Sequence, residues 1–232
     1  MKSIKTLAIA LCAGLVMVGC NNLQKGAAIG AGGGAILGAV IGKIAGNTAI
    51  GAAVGGAVGA GAGAIIGKKM DKAKAEAQAV QNAQVESVTD ANGLQAVKVT
   101  FDSGILFTTG SSTLSSTAKN SLTQFSNVLK GNADCDVAVQ GYTDNAGWKN
   151  STAEQSQQKN LNLSQQRAQA VTNYLQSLGV SSTQIRSTTG FGEANPVADN
   201  STAAGKAQNR RVEVYMYASQ AMIQQAEQGT LQ

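Results

Sequence analysis

A glycine ladder with a constant four-residue step constrains this chain more than any other feature. Glycines occur at 26, 30, 34, 38, 42 and 46, and again at 51, 55, 59, 63 and 67. Residues four apart share one face of an α-helix, so each series predicts an Ala/Ile/Val helix carrying a smooth glycine stripe. Such stripes let two backbones approach closely. Asn47-Thr48-Ala49-Ile50 breaks the register and predicts the turn of an antiparallel hairpin over residues 26–67. A glycine inside a helix costs about 1 kcal/mol relative to alanine, which only close packing offsets. A flexible Ala/Gly spacer is the plain alternative, but it requires no strict step. The two arms would extend roughly 31 and 25 Å, against about 30 Å for the hydrocarbon core of a bilayer. Insertion therefore stays open. Lys25 and Lys68-Lys69 would mark one membrane side, whereas Lys43 and the weak hydrophobicity of Ala and Gly argue against it.

Ahead of the ladder, Lys2 and Lys5 precede an apolar run from Leu7 to Val18. The run is too short for an ordinary transmembrane helix. It ends in Met17-Val18-Gly19-Cys20, which resembles a lipobox. That resemblance implies a signal peptide over 1–19, lipid on the Cys20 thiol and a lipidated N-terminus over 20–25. Several acyl chains anchor stably where one binds marginally. An uncleaved anchor, or ordinary cleavage with Cys20 incidental, is the alternative. Asn21 and Asn22 stand where an aspartate can retain lipoproteins in the inner membrane, so an outer-membrane address is expected. The ladder itself is similar to glycine-zipper segments of envelope lipoproteins. Residues 68–93, rich in Ala, Lys, Glu and Gln, predict a solvated helical linker or stalk.

Composition closes off several function classes. The sequence contains no histidine, which removes Ser-His and Cys-His nucleophiles and most zinc sites. Cys12, Cys20 and Cys135 share no metal-ligand spacing. No cofactor or metal is expected. Ten Lys/Arg face eight Asp/Glu between 94 and 218 without a basic run, which argues against a nucleic-acid partner.

From Leu94 the periodicity changes. Val97, Val99 and Phe101 alternate with polar residues as in a half-buried strand. Ser115/Ser116 predict a cap for a helix with Ala118, Leu122, Phe125 and Leu129 on one face. Cys135, Val137, Val139 and Gly141 share one strand parity, which makes Cys135 a small core residue. Ser164 predicts the cap of a helix with Ala168, Val171, Leu175 and Leu178, ended by Gly179. Strands follow over about 185–189 and 212–217, with Tyr215 and Tyr217 on the second sheet face. The fold class is α+β, a β-α-β-α-β-β sandwich over 94–218 with helices on one sheet face. Residues 219–232 read as a frayed polar tail.

Five blocks then carry a family resemblance. They are Phe101-Asp102-Ser103-Gly104, Gly141 through Gly147, Asn160 through Ala168, Gly190 through Pro196, and Asn209 through Glu213. In this order they resemble the OmpA-like C-terminal domain, so an OmpA-like fold is expected over 94–218. The resemblance implies non-covalent binding of the diaminopimelate residue of peptidoglycan. Asp144 would take its ammonium and Arg167 its carboxylate, with Thr143 and Asn160 adding hydrogen bonds. The residues agree independently: an arginine fork suits a carboxylate, and a Ser164 cap would put Arg167 in a first helical turn that favours anions. Alternatively, Asp144 pairs only with Arg167 or caps a turn. Arg210 and Arg211 read as structural or rim residues. The segment 147–160 is longer than the usual family spacing and carries the one tryptophan, Trp148, facing the ligand or the solvent.

The implied protein is no enzyme. The resemblance implies instead an outer-membrane lipoprotein whose periplasmic C-terminal domain would tie that membrane to peptidoglycan. Asp102, Asp144 and Glu193 show no catalytic spacing for a wall hydrolase. A second reading makes the glycine hairpin the working part, a homo-oligomer acting as a membrane assembly or permeability factor.

Overall fold

The computed structural model describes residues 58–90 and 93–231, all within one compact unit. The lipobox, Cys20 and the glycine ladder before residue 58 lie outside the described residues. A five-stranded sheet comprises β1 (Ala83–Thr89), β2 (Gln95–Asp102), β3 (Cys135–Gly141), β4 (Ile185–Gly190) and β5 (Arg211–Ala218). Its order is β1-β2-β5-β3-β4. Neighbours pair antiparallel except β3 and β4, which are parallel. The helices are α1 (Ala60–Gln78), α2 (Ser103–Leu106), α3 (Ser116–Gly131), α4 (Ala153–Ser177), α5 (Ala203–Asn209) and α6 (Gln220–Glu227).

The alternating strands behave as their period requires. Val97, Val99, Val137, Val139, Val212, Val214 and Met216 are fully buried beneath the helices. Leu122, Phe125 and Leu129 of α3 and Val171 and Leu175 of α4 meet them from one face, and Phe101 packs edge-on against Phe125 with ring centroids 5.6 Å apart. The second sheet face gathers Ala96, Ala138, Tyr215 and Tyr217, as the parity of the tyrosines predicts. Cys135 sits in the main core. Burial pushes its thiol up to about 12, far from the reactive thiolate range. Ser115 caps α3 by accepting from Ala118 N, and Gly179 leaves α4 with φ +90°, the left-handed step that suits glycine.

Three expectations change. The segment 68–93 is not a solvated stalk. Helix α1 runs unbroken through Lys68-Lys69 to Gln78, and Ile66, Met70, Ala73 and Ala77 are fully buried along it. These four positions follow a 4-3-4 spacing, a narrow stripe that small alanines conceal in an Ala/Lys/Glu composition. The chain then turns at Asn82, φ 60°, into edge strand β1, whose Glu86 pairs with Lys98 at 2.6 Å. Only two valines mark this strand, too few to show alternation.

Residues 219–227 of the expected polar tail are likewise structured. Ser219 caps α6, which buries Met222, Ile223 and Ala226 alongside α1. The third change concerns α4. It begins at Ala153, with a reciprocal cap between Thr152 and Gln155, because that box satisfies two orphan helix donors at once. Ser164 lies within the helix and its hydroxyl has other partners. Among the described residues no helix is long and apolar enough to cross a membrane.

Candidate functional site

The ends of β2, β3 and β4 and the start of β5 meet at one edge of the sheet, since Asp102 pairs with Arg211 and Gly141 with both Val212 and Gly190. Helix α4 crosses this edge at backbone contact. A Cβ on Gly141 would lie 2.2 Å from the Ser164 carbonyl oxygen, and one on Gly190 would lie 2.2 Å from Gln165 N. Glycine is needed at both places for close approach. Ser164 and Gln165 then bolt helix to strand. Gly192 N donates to Ser164 Oγ at 2.8 Å and Gly190 N to Gln165 Oε1 at 2.7 Å, while Gln165 Nε2 donates to the Thr188 carbonyl at 3.2 Å.

This contact fixes the site. Asp144 stands three residues beyond β3, and Arg167 one helical turn beyond Ser164. Both line a single cleft of about 600 Å³, together with Thr143, Asn160 and Arg210. All four residues that the sequence nominates therefore converge. Asp144 and Arg167 do not pair with each other. Arg210 Nη1 donates to Asp144 Oδ2 at 2.6 Å, while Asp144 Oδ1 accepts from Ala146 N at 3.0 Å. The aspartate thus caps its own turn and receives a guanidinium, keeping acceptor capacity toward the cleft.

Arg167 is 4% exposed. Its Nε donates to the Ser111 carbonyl at 3.0 Å, and its guanidinium lies 5.1 Å from the Phe107 ring centroid. Among the described residues no carboxylate comes within ion-pairing distance of it. Burial, and then the nearby positive Arg210, push its pKa below the usual arginine value, with Asp144 opposing. A buried cation without an ion-pair partner is costly, and it sits ready for an anion. The dipole of a helix N-terminus supplies none of this, contrary to the sequence expectation. Arg167 lies fourteen residues into α4, and end effects fade within one turn.

Thr143 adds a second unfilled group. Its hydroxyl is buried with no hydrogen-bond partner, and so is that of Ser103 across the cleft. Such groups are rare in folded proteins. Asn160 is saturated internally. Its Oδ1 accepts from Trp148 Nε1 at 2.7 Å, and its Nδ2 reaches the Ala146 carbonyl at 3.2 Å and Glu193 Oε2 at 3.3 Å. Asn160 therefore ties the Asp144–Ala146 turn to α4. Trp148 lines the cleft, and Lys159 Nζ lies 5.8 Å from its ring.

The sequence left the roles of Arg210 and Arg211 undivided. Arg211 is internal, paired with Glu213 at 2.7 Å and lying over the Tyr142 ring at 3.8 Å. Arg210, its neighbour, points to Asp144. Strand parity alone separates them, since adjacent residues face opposite ways. Lys149 and Lys206 also line the cleft, and no periodicity could have nominated them.

Known proteins resemble two parts of this chain. Residues 106–210 match the OmpA family, and residues 1–71 match the YMGG-like Gly-zipper. The chain is 47% identical over 116 residues to "Probable lipoprotein YiaD" of Escherichia coli (strain K12), covering 50% of this chain and 46% of that protein. It is 42% identical over 93 residues to "Peptidoglycan-binding protein ArfA" of Mycobacterium tuberculosis (strain ATCC 25618 / H37Rv), covering 40% of this chain and 26% of that protein. The chain thus spans less than half the length of either relative. Among solved structures, the cell wall anchor of the T6SS from Pseudomonas aeruginosa superposes with a TM-score of 0.51 at 27% identity, over 65% of this chain and 97% of that one. The chain is thus similar to the OmpA family over residues 106–210 and to a YMGG-like Gly-zipper over residues 1–71.

Proposed function

We propose that this chain is a lipid-anchored outer-membrane protein that binds peptidoglycan non-covalently and so ties the membrane to the wall. The ligand is the diaminopimelate residue of the stem peptide, which carries an ammonium and a carboxylate on one carbon. The observation that carries this reading is Arg167, a buried guanidinium without a counter-ion in a cleft it shares with Asp144. The carboxylate of the ligand would supply the missing partner in bidentate form. Its ammonium would share Asp144 with Arg210. The unpartnered Thr143 hydroxyl would find its hydrogen bond on the ligand, and Asn160 acts by holding the Asp144 turn. The peptidoglycan binding in the name of ArfA and the wall-anchor description of the structural neighbour support the same reading.

Charge-assisted contacts contribute roughly 1.5–3 kcal/mol each, so single-site affinity is modest and many copies facing a polymer give retention. The test uses the full chain in detergent, sedimented with isolated peptidoglycan. Asp144→Asn and Arg167→Met should each weaken retention by about one to two orders of magnitude. Undiminished retention by both variants refutes the assignment. Cys20→Ala tests the anchor, and an unchanged membrane fraction would refute lipidation. The Gly-zipper match over residues 1–71 favours a second, compatible role, assembly of copies through the glycine faces. Crosslinking of a variant with leucine at 34, 38, 55 and 59 tests it, and unaltered oligomers would refute it.

A further inference from the structure

The cleft carries more positive charge than an ammonium–carboxylate head neutralises. Four cationic side chains line it, Arg167, Arg210, Lys149 and Lys206, and Asp144 is the one acid among its lining residues. Neither lysine has an ion-pair partner among the described residues, Lys149 being exposed and Lys206 half-buried. Two further acids hold other partners. Glu193 accepts from Asn160 and Gln157, and Asp102 accepts from Gly104 N and faces a separate groove. Three positive charges therefore remain beyond the Asp144 charge. A zwitterionic head brings equal numbers of each sign and leaves all three. Burial of Arg167 next to Arg210 makes the excess costly, since the Arg210 charge disfavours the charged form of Arg167.

We infer that this cleft selects stem peptides whose flanking carboxyl groups are free over the same peptides with those groups amidated. The inference rests on the peptidoglycan reading above and adds the class of stem that it prefers. A carboxylate beside the zwitterion meets the lysine rim, whereas an amide of the same shape leaves that charge unanswered. Lys149 belongs to the long segment between Gly147 and Asn160 and Lys206 to α5, so a loop and a separate helix bring cations to one opening. Rim charges of this kind act on encounter rate and discrimination rather than on the anchoring contacts.

Two synthetic stem tripeptides ending in diaminopimelate distinguish the possibilities by calorimetric titration of the full chain in detergent. One has every carboxyl free. The other has the glutamate α-carboxyl and the chain-terminal carboxyl amidated, with the zwitterionic end of diaminopimelate intact. The free peptide should bind roughly fivefold tighter, and the preference should shrink as salt rises. Lys149→Gln with Lys206→Gln should abolish the preference while binding of the amidated peptide through Asp144 and Arg167 remains measurable. Equal affinities in the parent protein, or an unchanged preference in the double variant, would overturn the inference and leave wall binding standing. Binding of neither peptide would overturn both.

Discussion

Replacing Gly141 by alanine tests the contact on which the cleft depends. The new methyl would stand 2.2 Å from the Ser164 carbonyl oxygen and 3.0 Å from its carbon. Neither neighbour is a flexible side-chain tip, so β3 and α4 must separate by about 1 Å; such overpacking costs about 1–3 kcal/mol. The separation also strains the bonds from Gly192 N to Ser164 Oγ and from Gly190 N to Gln165 Oε1, each contributing about 0.5–1.5 kcal/mol. The loss sums to about 2–6 kcal/mol, or roughly 4–24 °C in Tm for a chain of this size. Asp144 and Arg167 lie three residues beyond the two contact points, and binding groups must be held within about 0.5 Å. Peptidoglycan retention should therefore fall at temperatures where the variant is still folded. The assay pairs thermal unfolding followed by circular dichroism with sedimentation on isolated peptidoglycan. Gly61→Ala is the control, because nothing lies within 4 Å of a methyl there. A Gly141→Ala protein with unchanged midpoint and unchanged retention would refute the argument that glycine sets the spacing between helix and sheet.

Three further outcomes follow from the structure. A fragment cut to residues 94–218 loses α1, β1 and α6 and uncovers core around Ile66, Met70 and Met222; it should unfold at lower denaturant than a 58–231 fragment, and equal midpoints would count against a packed α1. Trp148, the one tryptophan, lines the cleft, so a diaminopimelate stem peptide should change its fluorescence emission, and a silent titration alongside measurable binding would remove it from the ligand's path. The Cys135 thiol is raised from 9.0 to about 12 in the folded chain, so its contribution is complete below pH 9 and is lost as pH climbs toward 12; Cys135→Ala should flatten the alkaline fall in stability by up to about 1.4 kcal/mol per pH unit, and an identical slope would show that the thiol ionises elsewhere.

The alternating strands and the α3 stripe were legible because a two-sided sheet under helices imposes regular burial. Val97, Val99 and Phe101, or Val212, Val214 and Met216, state their face by position alone. Helix α1 was not legible as part of the domain. Its buried contacts include Ala73 and Ala77, and alanine reads the same on a buried face as on a solvated one. Edge strand β1 escaped for a related reason, since one exposed side and two valines leave no period to see. The start of α4 was misplaced because two capping signals compete, Thr152 with Gln155 and Ser164 alone. The reciprocal box forms, and the Ser164 hydroxyl is needed by Gly192 N.

In the site, the resemblance to the OmpA-like domain nominated Thr143, Asp144, Asn160 and Arg167, and residue chemistry alone supported Asp144 and Arg167. Their partners depended on packing. Asp144 faces Arg210 rather than Arg167 because β5 starts beside the end of β3, and a turn of one residue sends Arg210 and Arg211 to opposite sides. Asn160 spends its amide on Trp148, Ala146 and Glu193, a fact set by where α4 passes the loop.

The amino-acid sequence by itself determined the periods, the caps, the glycine steps and the chemical groups available, because these are local properties of neighbouring residues. Only the tertiary structure decided which charges meet, which cation is left without a partner, and which alanine face is buried. Those outcomes depend on distances between segments far apart in the chain, as where backbone contact at Gly141 and Gly190 sets the approach of α4 to the sheet.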